Sequence, residues 1–250
     1  MLSSVEEINM FKILKKLLKK SDVENKSLSD EYLEIVRKFG ELGIRIQDIA
    51  EIPDTIWTEI YNYTCRLYNL YPELPTGFLR IIDLQNTFSI GNTDFCKNED
   101  GTYNTKAGVR ISLNKKYLLE ENTFINKIKT TKTLLTPADS IKFIIAHEFG
   151  HVIDIYRTIL EKGYVLSSQV SYEEILAFFN TSNYSDRIVL KVIEENFADI
   201  KKHNYAGFLS EKMGYTASSN FAETFAEAIA FDFIGTDNDI AKLIIKYQNN

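Results

Sequence analysis

Histidine, cysteine and tryptophan are scarce in this chain: three, two and one among 250 residues. The cysteines, Cys65 and Cys96, stand far apart and match no ligand spacing. That pattern offers neither a cysteine metal site nor a disulfide framework, and two free thiols are expected. A basic excess is missing too. The net charge of -6 and a pI near 5.3 argue against a nucleic-acid surface, which calls for clustered lysine and arginine. No apolar run reaches the length of a membrane span. The amino-terminal stretch Val5-Glu6-Glu7-Ile8-Asn9-Met10-Phe11 is broken by acids, so no cleavable secretory signal is read there. The expected location is cytoplasmic, or exported by a route that leaves no signal peptide.

What remains is an ordinary globular composition, 44% hydrophobic and 26% charged, with enough length for one large domain or two small ones. Against so few histidines, the run Ala146-His147-Glu148-Phe149-Gly150-His151 stands out. Residues four apart share one helix face, so His147 and His151 can aim imidazole nitrogens at a single point. Zn²⁺ suits that point, because it takes tetrahedral N, O or S donors and a catalytic site keeps one position for water. Glu148 can accept a proton from that water. Chance spacing of this kind is expected in roughly one such sequence in several hundred. Thr136, Pro137 and Asp139 supply a cap, a preset first residue and an acidic first turn, so the motif is predicted on a helix from about Pro137 to Lys162, closed by Gly163.

Along the rest of the chain, Ser4 and Glu7 form a capping box before a helix reaching about Lys20, whose lysines read as a solvated face. A polar linker covers 21–29. Helices follow from Asp30 to Phe39, stopping at Gly40, and from Pro53 to about Leu70. After Pro75 strands are expected at 78–82, 88–90 and 108–113, with a turn at Gly91-Asn92 and a polar loop from Asn92 to Lys106. An edge of this small mixed sheet offers main-chain pairing to an extended peptide. Three helices close the chain besides one opened by the Ser171/Glu174 capping box: Ser185 to about Lys202, Ser218–Asn220 to Gly235, and Asp239 to Tyr247. The division expected is a helical region over 1–72 and a second unit over 73–250, in an α+β fold.

Two histidines do not hold a catalytic zinc, so a third ligand must come from elsewhere. Asp154 and Arg157 stand where an extended three-histidine motif would need glycine and histidine. Glu223 and Glu227 lie one turn apart on a segment otherwise rich in Phe and Ala, where a carboxylate needs a reason to be. The alanines would let that helix come close to the motif helix. Glu173, Glu174, Glu194, Glu195 and His203 remain as alternatives, with capping, a solvated face and a lone structural imidazole as their plainer readings.

His147-Glu148-Phe149-Gly150-His151-Val152-Ile153-Asp154, followed downstream by Asn220-Phe221-Ala222-Glu223-Thr224-Phe225-Ala226-Glu227-Ala228, resembles the gluzincin metallopeptidases related to anthrax lethal factor. It is similar, closer still, to metallopeptidase-like domains of phage minor head proteins and bacterial toxins. The stretch from Ala107 to Tyr117 shares that likeness, which covers about the second two-thirds of the chain. The resemblance implies a zincin-like domain over 73–250, with His147, His151 and Glu223 as zinc ligands and Glu148 as general base. Asp154 and Glu227 fall where the family orients metal-bound histidines. The family's Tyr-Ala-x-x-Asn, whose tyrosine can steady an oxyanion, meets Thr216-Ala217-Ser218-Ser219-Asn220 here, with Tyr215 one residue early. The implied function is zinc-dependent endopeptidase action on a peptide or protein substrate. A zinc-stabilised interaction module that does not cut is the alternative.

Overall fold

The structure, a computed structural model, describes residues 30–86, 89–120, 140–214 and 217–249. The helix expected over 4–20, the linker at 21–29, the cap at Thr136-Pro137 and Tyr215 lie outside these residues. The order of elements is α1 (Asp30–Glu41), β1 (Arg45–Ile46), α2 (Asp54–Leu70), β2 (Leu79–Gln85), β3 (Gly91–Phe95), β4 (Val109–Asn114) and α3 (Lys115–Leu119). Then come α4 (Ser140–Lys162), α5 (Tyr172–Asn180), α6 (Tyr184–Asn196), α7 (Tyr205–Lys212), α8 (Phe221–Ile234) and α9 (Asp239–Gln248). This is α+β, with one four-stranded mixed sheet in the order β1-β2-β4-β3. β1, β2 and β4 run parallel, and β3 returns antiparallel along the outer side of β4.

Alternation sets the two faces of the sheet. Ile82, Phe95, Val109, Ile111 and Leu113 are buried on one side, in register across three strands. The other side carries Asp83, Asp94, Arg110 and Ser112, where Arg110 pairs with Asp83. The apolar face lies against α4, a helix buried on nearly every side, as an all-round apolar sequence requires. α2 packs on α4 through Tyr68, and its C-cap Tyr71 joins it, against Phe149, the first edge-on at 5.3 Å between ring centres. α8 crosses α4 on another side, and α6 and α9 close around α8. The described residues before and after position 72 thus share one sheet and one core.

Several expected boundaries shift. α1 runs through Gly40 and turns at Gly43, whose φ of 74° is the conformation glycine adopts without penalty. The segment read as a turn and polar loop, Gly91 to Phe95, is the edge strand β3, while the strand expected at 88–90 has Ser89 and Ile90 outside regular structure. α6 opens on Asn183, not Ser185, with the Asn183 amide donating to the Asp186 carboxylate in the first turn. It ends at Asn196, and α7 is an additional helix before Gly214. The capping box of α5 and the Gly235 stop of α8 are as expected.

Candidate metal centre

His147 and His151 face one cleft from adjacent turns of α4, their rings 5.0 Å apart and nearly perpendicular. Glu223 enters from the first turn of α8. Asn220 caps that helix by accepting from the Glu223 amide at 2.9 Å, and an acid in the first turn complements the helix dipole. The Thr224 hydroxyl donates to the carbonyl of Ala217, with that of Asn220 also in reach at 3.2 Å, tying the preceding loop to the cap.

The two helices reach this arrangement by an unusually close crossing. A Cβ at Gly150 would stand 2.7 Å from the Ala226 Cα, so the glycine inside the motif lets α8 approach α4 backbone to side-chain-free backbone. Gly150 lies one residue before His151, and Ala226 one turn after Glu223. The contact that removes a side chain from the crossing therefore sits beside the groups that converge.

Glu223 Oε2 lies 3.1 Å from His147 Nε2, and Oε1 lies 3.5 Å from His151 Nε2. These three are the one group of potential metal donors brought together among the described residues. One donor atom from each of the three lies within 4.8 Å of the others, and two imidazole nitrogens with a carboxylate oxygen are a donor set of the kind zinc takes. His147 Nδ1 is buried without a hydrogen-bond partner.

Burial disfavours a charged imidazole at His147. The bond and charge of Glu223, with the charges of Glu148 and Glu227, outweigh that and raise its pKa to about 9. Burial likewise opposes ionisation of Glu223, yet bonds from His147 and His151 hold its carboxyl far below the usual carboxylate range. Three carboxylates thus surround two imidazoles, an excess of negative charge that a divalent cation balances.

Glu148 is buried beside the pair, its Oε2 accepting from the Thr93 hydroxyl on β3 at 2.8 Å. The cleft holds about 430 Å³ and is lined by β3, α4, the end of α5 and the start of α8, with Phe143, Phe179 and Asn183 among its walls. The Ile90 carbonyl accepts from the Asn114 amide, and the Cys96 amide donates to the Gly108 carbonyl. Antiparallel alternation then turns the N–H and C=O groups of Gly91 and Thr93 away from β4, towards the edge where no further strand pairs among the described residues.

Asp154 departs from its expected part. Both its oxygens accept from Ser185, from the amide at 2.7 Å and the hydroxyl at 2.9 Å, so it fastens α4 to α6 and bonds to neither imidazole. Burial raises its pKa, and those bonds with the His151 charge counter the rise. Glu227 is buried in the cleft wall and acts on His147 through charge. The alternatives for a third ligand lie elsewhere. Glu174 caps α5, Glu195 accepts from Tyr247, and Glu173, Glu194 and His203 are exposed.

Thr93 and Gly91 were not among the residues the sequence pointed to. Their signal was the weak alternation Gly91, Thr93, Phe95, overridden by the turn reading of Gly-Asn. Comparison with protein families, curated proteins and solved structures finds no match to this chain.

Proposed function

We propose that this chain is a zinc-dependent endopeptidase of the gluzincin kind, acting on peptide or protein substrates. The observation that carries the reading is the meeting of His147, His151 and Glu223 across two helices, at separations of 3.1 and 3.5 Å, with Glu148 in the same cleft. His147, His151 and Glu223 would hold the ion. Zinc supplies Lewis acidity there, polarising a carbonyl and bringing the pKa of water towards neutrality. Glu148 takes the proton of the attacking water on its carboxylate and passes it to the departing amine. The open edge of β3, beside that carboxylate, gives an extended peptide main-chain partners at Gly91 and Thr93. Tyr215 completes the reading by resemblance, as a donor to the oxyanion.

The second reading is a zinc-stabilised interaction module of a phage head or toxin-related protein. The displacement of Tyr215 from the family's register favours it. An open cleft and a carboxylate beside the donors disfavour it, since a structural zinc closes its shell and has no use for a base.

The test is a mixed peptide library treated with zinc-loaded protein, with chelated protein and with Glu148→Gln. The proposal expects cleavage that chelation removes, and a variant that keeps zinc while losing at least about a hundredfold in turnover. Cleavage unchanged in Glu148→Gln overturns the mechanism, and zinc bound without any cleavage selects the second reading.

A further inference from the structure

Thr93 is required by no motif, yet its hydroxyl sits 2.8 Å from Glu148 Oε2 and 3.1 Å from the Glu148 carbonyl oxygen. One hydroxyl proton serves one acceptor at a time, and the charged carboxylate is the stronger. Two residues earlier, on the same face of β3, Gly91 meets the other side of that carboxylate. A Cβ at position 91 would lie 2.6 Å from Glu148 Cδ and 2.8 Å from Cγ, closer than carbon atoms approach. The Glu148 side chain is therefore tied at one oxygen and laid over a bare Cα at the other. Gly91 has no positive φ, so its lack of a side chain, not its backbone freedom, is what this position uses.

We propose that Gly91 and Thr93 form a seat in β3 that positions the Glu148 carboxylate, so that the strand an extended peptide would pair with also aims the proton acceptor. The consequence for turnover rests on the peptidase reading; the seat itself is a statement about where a side chain lies. Peptide pairing and base orientation are then set by the same two residues, one through backbone groups and the other through a hydroxyl and a missing Cβ. Misplacing a reacting group by about 1 Å can cost up to about a hundredfold in rate. Thr93 and Gly91 are positioning residues in this account, acting through Glu148.

Three variants of the full chain separate this from plain packing. Thr93→Val keeps the shape and removes the donor, Thr93→Ser keeps the donor, and Gly91→Ala pushes on the carboxylate from its other side. Each is crystallised, its zinc content is measured, and its kcat and KM are read on a peptide found in the library. In Thr93→Val and Gly91→Ala the carboxylate should leave its seat, zinc content should be unchanged, and kcat should fall about ten- to hundredfold with KM within about twofold. Thr93→Ser should behave as the parent. The inference is overturned if the carboxylate stays in place in Thr93→Val, if that variant keeps kcat within about twofold, or if Thr93→Ser is as impaired as Thr93→Val. If the parent protein cuts no peptide, or Glu148→Gln cuts as well as the parent, the peptidase reading has failed. The crystallographic positions then decide the seat alone.

Discussion

His147 is the residue in which the electrostatics of the cleft concentrate. It is buried, which resists its charge, yet Glu223, Glu148 and Glu227 hold its proton up to about pH 9. In protein stripped of metal by chelation this has a definite sign. A histidine whose pKa rises on folding lends stability that is complete below its ordinary 6.5 and is lost as pH climbs through about 9. Glu223, whose pKa falls on folding, lends stability that is complete above its ordinary 4.5 and is lost as pH drops towards strong acid. Chelated protein should therefore melt highest between about pH 4.5 and 6.5 as far as this pair is concerned. Zinc must displace the His147 proton, so its apparent affinity should climb about tenfold per pH unit from 7 towards 9. Competition titrations with a chromophoric chelator at three pH values check this, and an affinity flat across that range contradicts it. Asp154 illustrates a residue whose place in a motif did not fix its partner. The resemblance implies, three residues after His151, a carboxylate turned to an imidazole, but a serine amide and hydroxyl from α6 engage both oxygens.

The crossing of α4 and α8 is the element on which the site depends. Gly150→Ala puts a methyl 2.7 Å from the Ala226 backbone, where neither partner is a flexible side chain that can swing aside. The helices must separate, and overpacking of this kind costs about 1–3 kcal/mol. Zinc affinity should fall with it, because Glu223 moves with α8. Gly40→Ala in α1 is the matched control. Nothing lies within 4 Å of its added carbon, so it should raise stability by about 0.5–1 kcal/mol through helix propensity. Thermal melting with zinc titration reads both variants; equal behaviour of the two would sink the crossing argument.

How legible the elements were follows from the same physics. Signals confined to a few neighbouring residues were readable: the Ser171/Glu174 box, the Asn220 cap and the Gly235 stop are all where local chemistry puts them. β3 was hidden because Gly91-Asn92 carries a turn signature, while the reason for that glycine is the distant Glu148 side chain pressed against it. α6 opens on Asn183 with Asp186 in its first turn, while Ser185 is engaged by Asp154, a partner 31 residues away that no local signal reveals. The apolar, alanine-rich segment around Glu223 and Glu227 made a carboxylate close to the motif helix legible, and the resemblance singled out Glu223 of the two.

At the scale of the whole molecule, the helical stretch that precedes the sheet in sequence is built into it. β1 pairs in parallel with β2 through Arg45–Ile81 and Ile46–Ile82, and Trp57, Ile60 and Leu67 of α2 are buried in the common core. Tyr71, just after α2, accepts at 3.2 Å from the side chain of Gln248 in α9, whose carbonyl also accepts from Arg157 of α4. The motif helix is thus held by the sheet, α2, α6 and α8 together, a rigid support of the kind a preorganised site needs. Among the described residues no helix is long and apolar enough to cross a membrane.

The most direct measurement of the central claim is zinc stoichiometry and affinity of the full chain beside Glu223→Ala. The account predicts one zinc per parent chain, a zinc-dependent rise in melting temperature, and affinity lower by more than about a hundredfold in the variant. Equal zinc affinity in the two proteins, or a parent chain that retains no zinc, would contradict it.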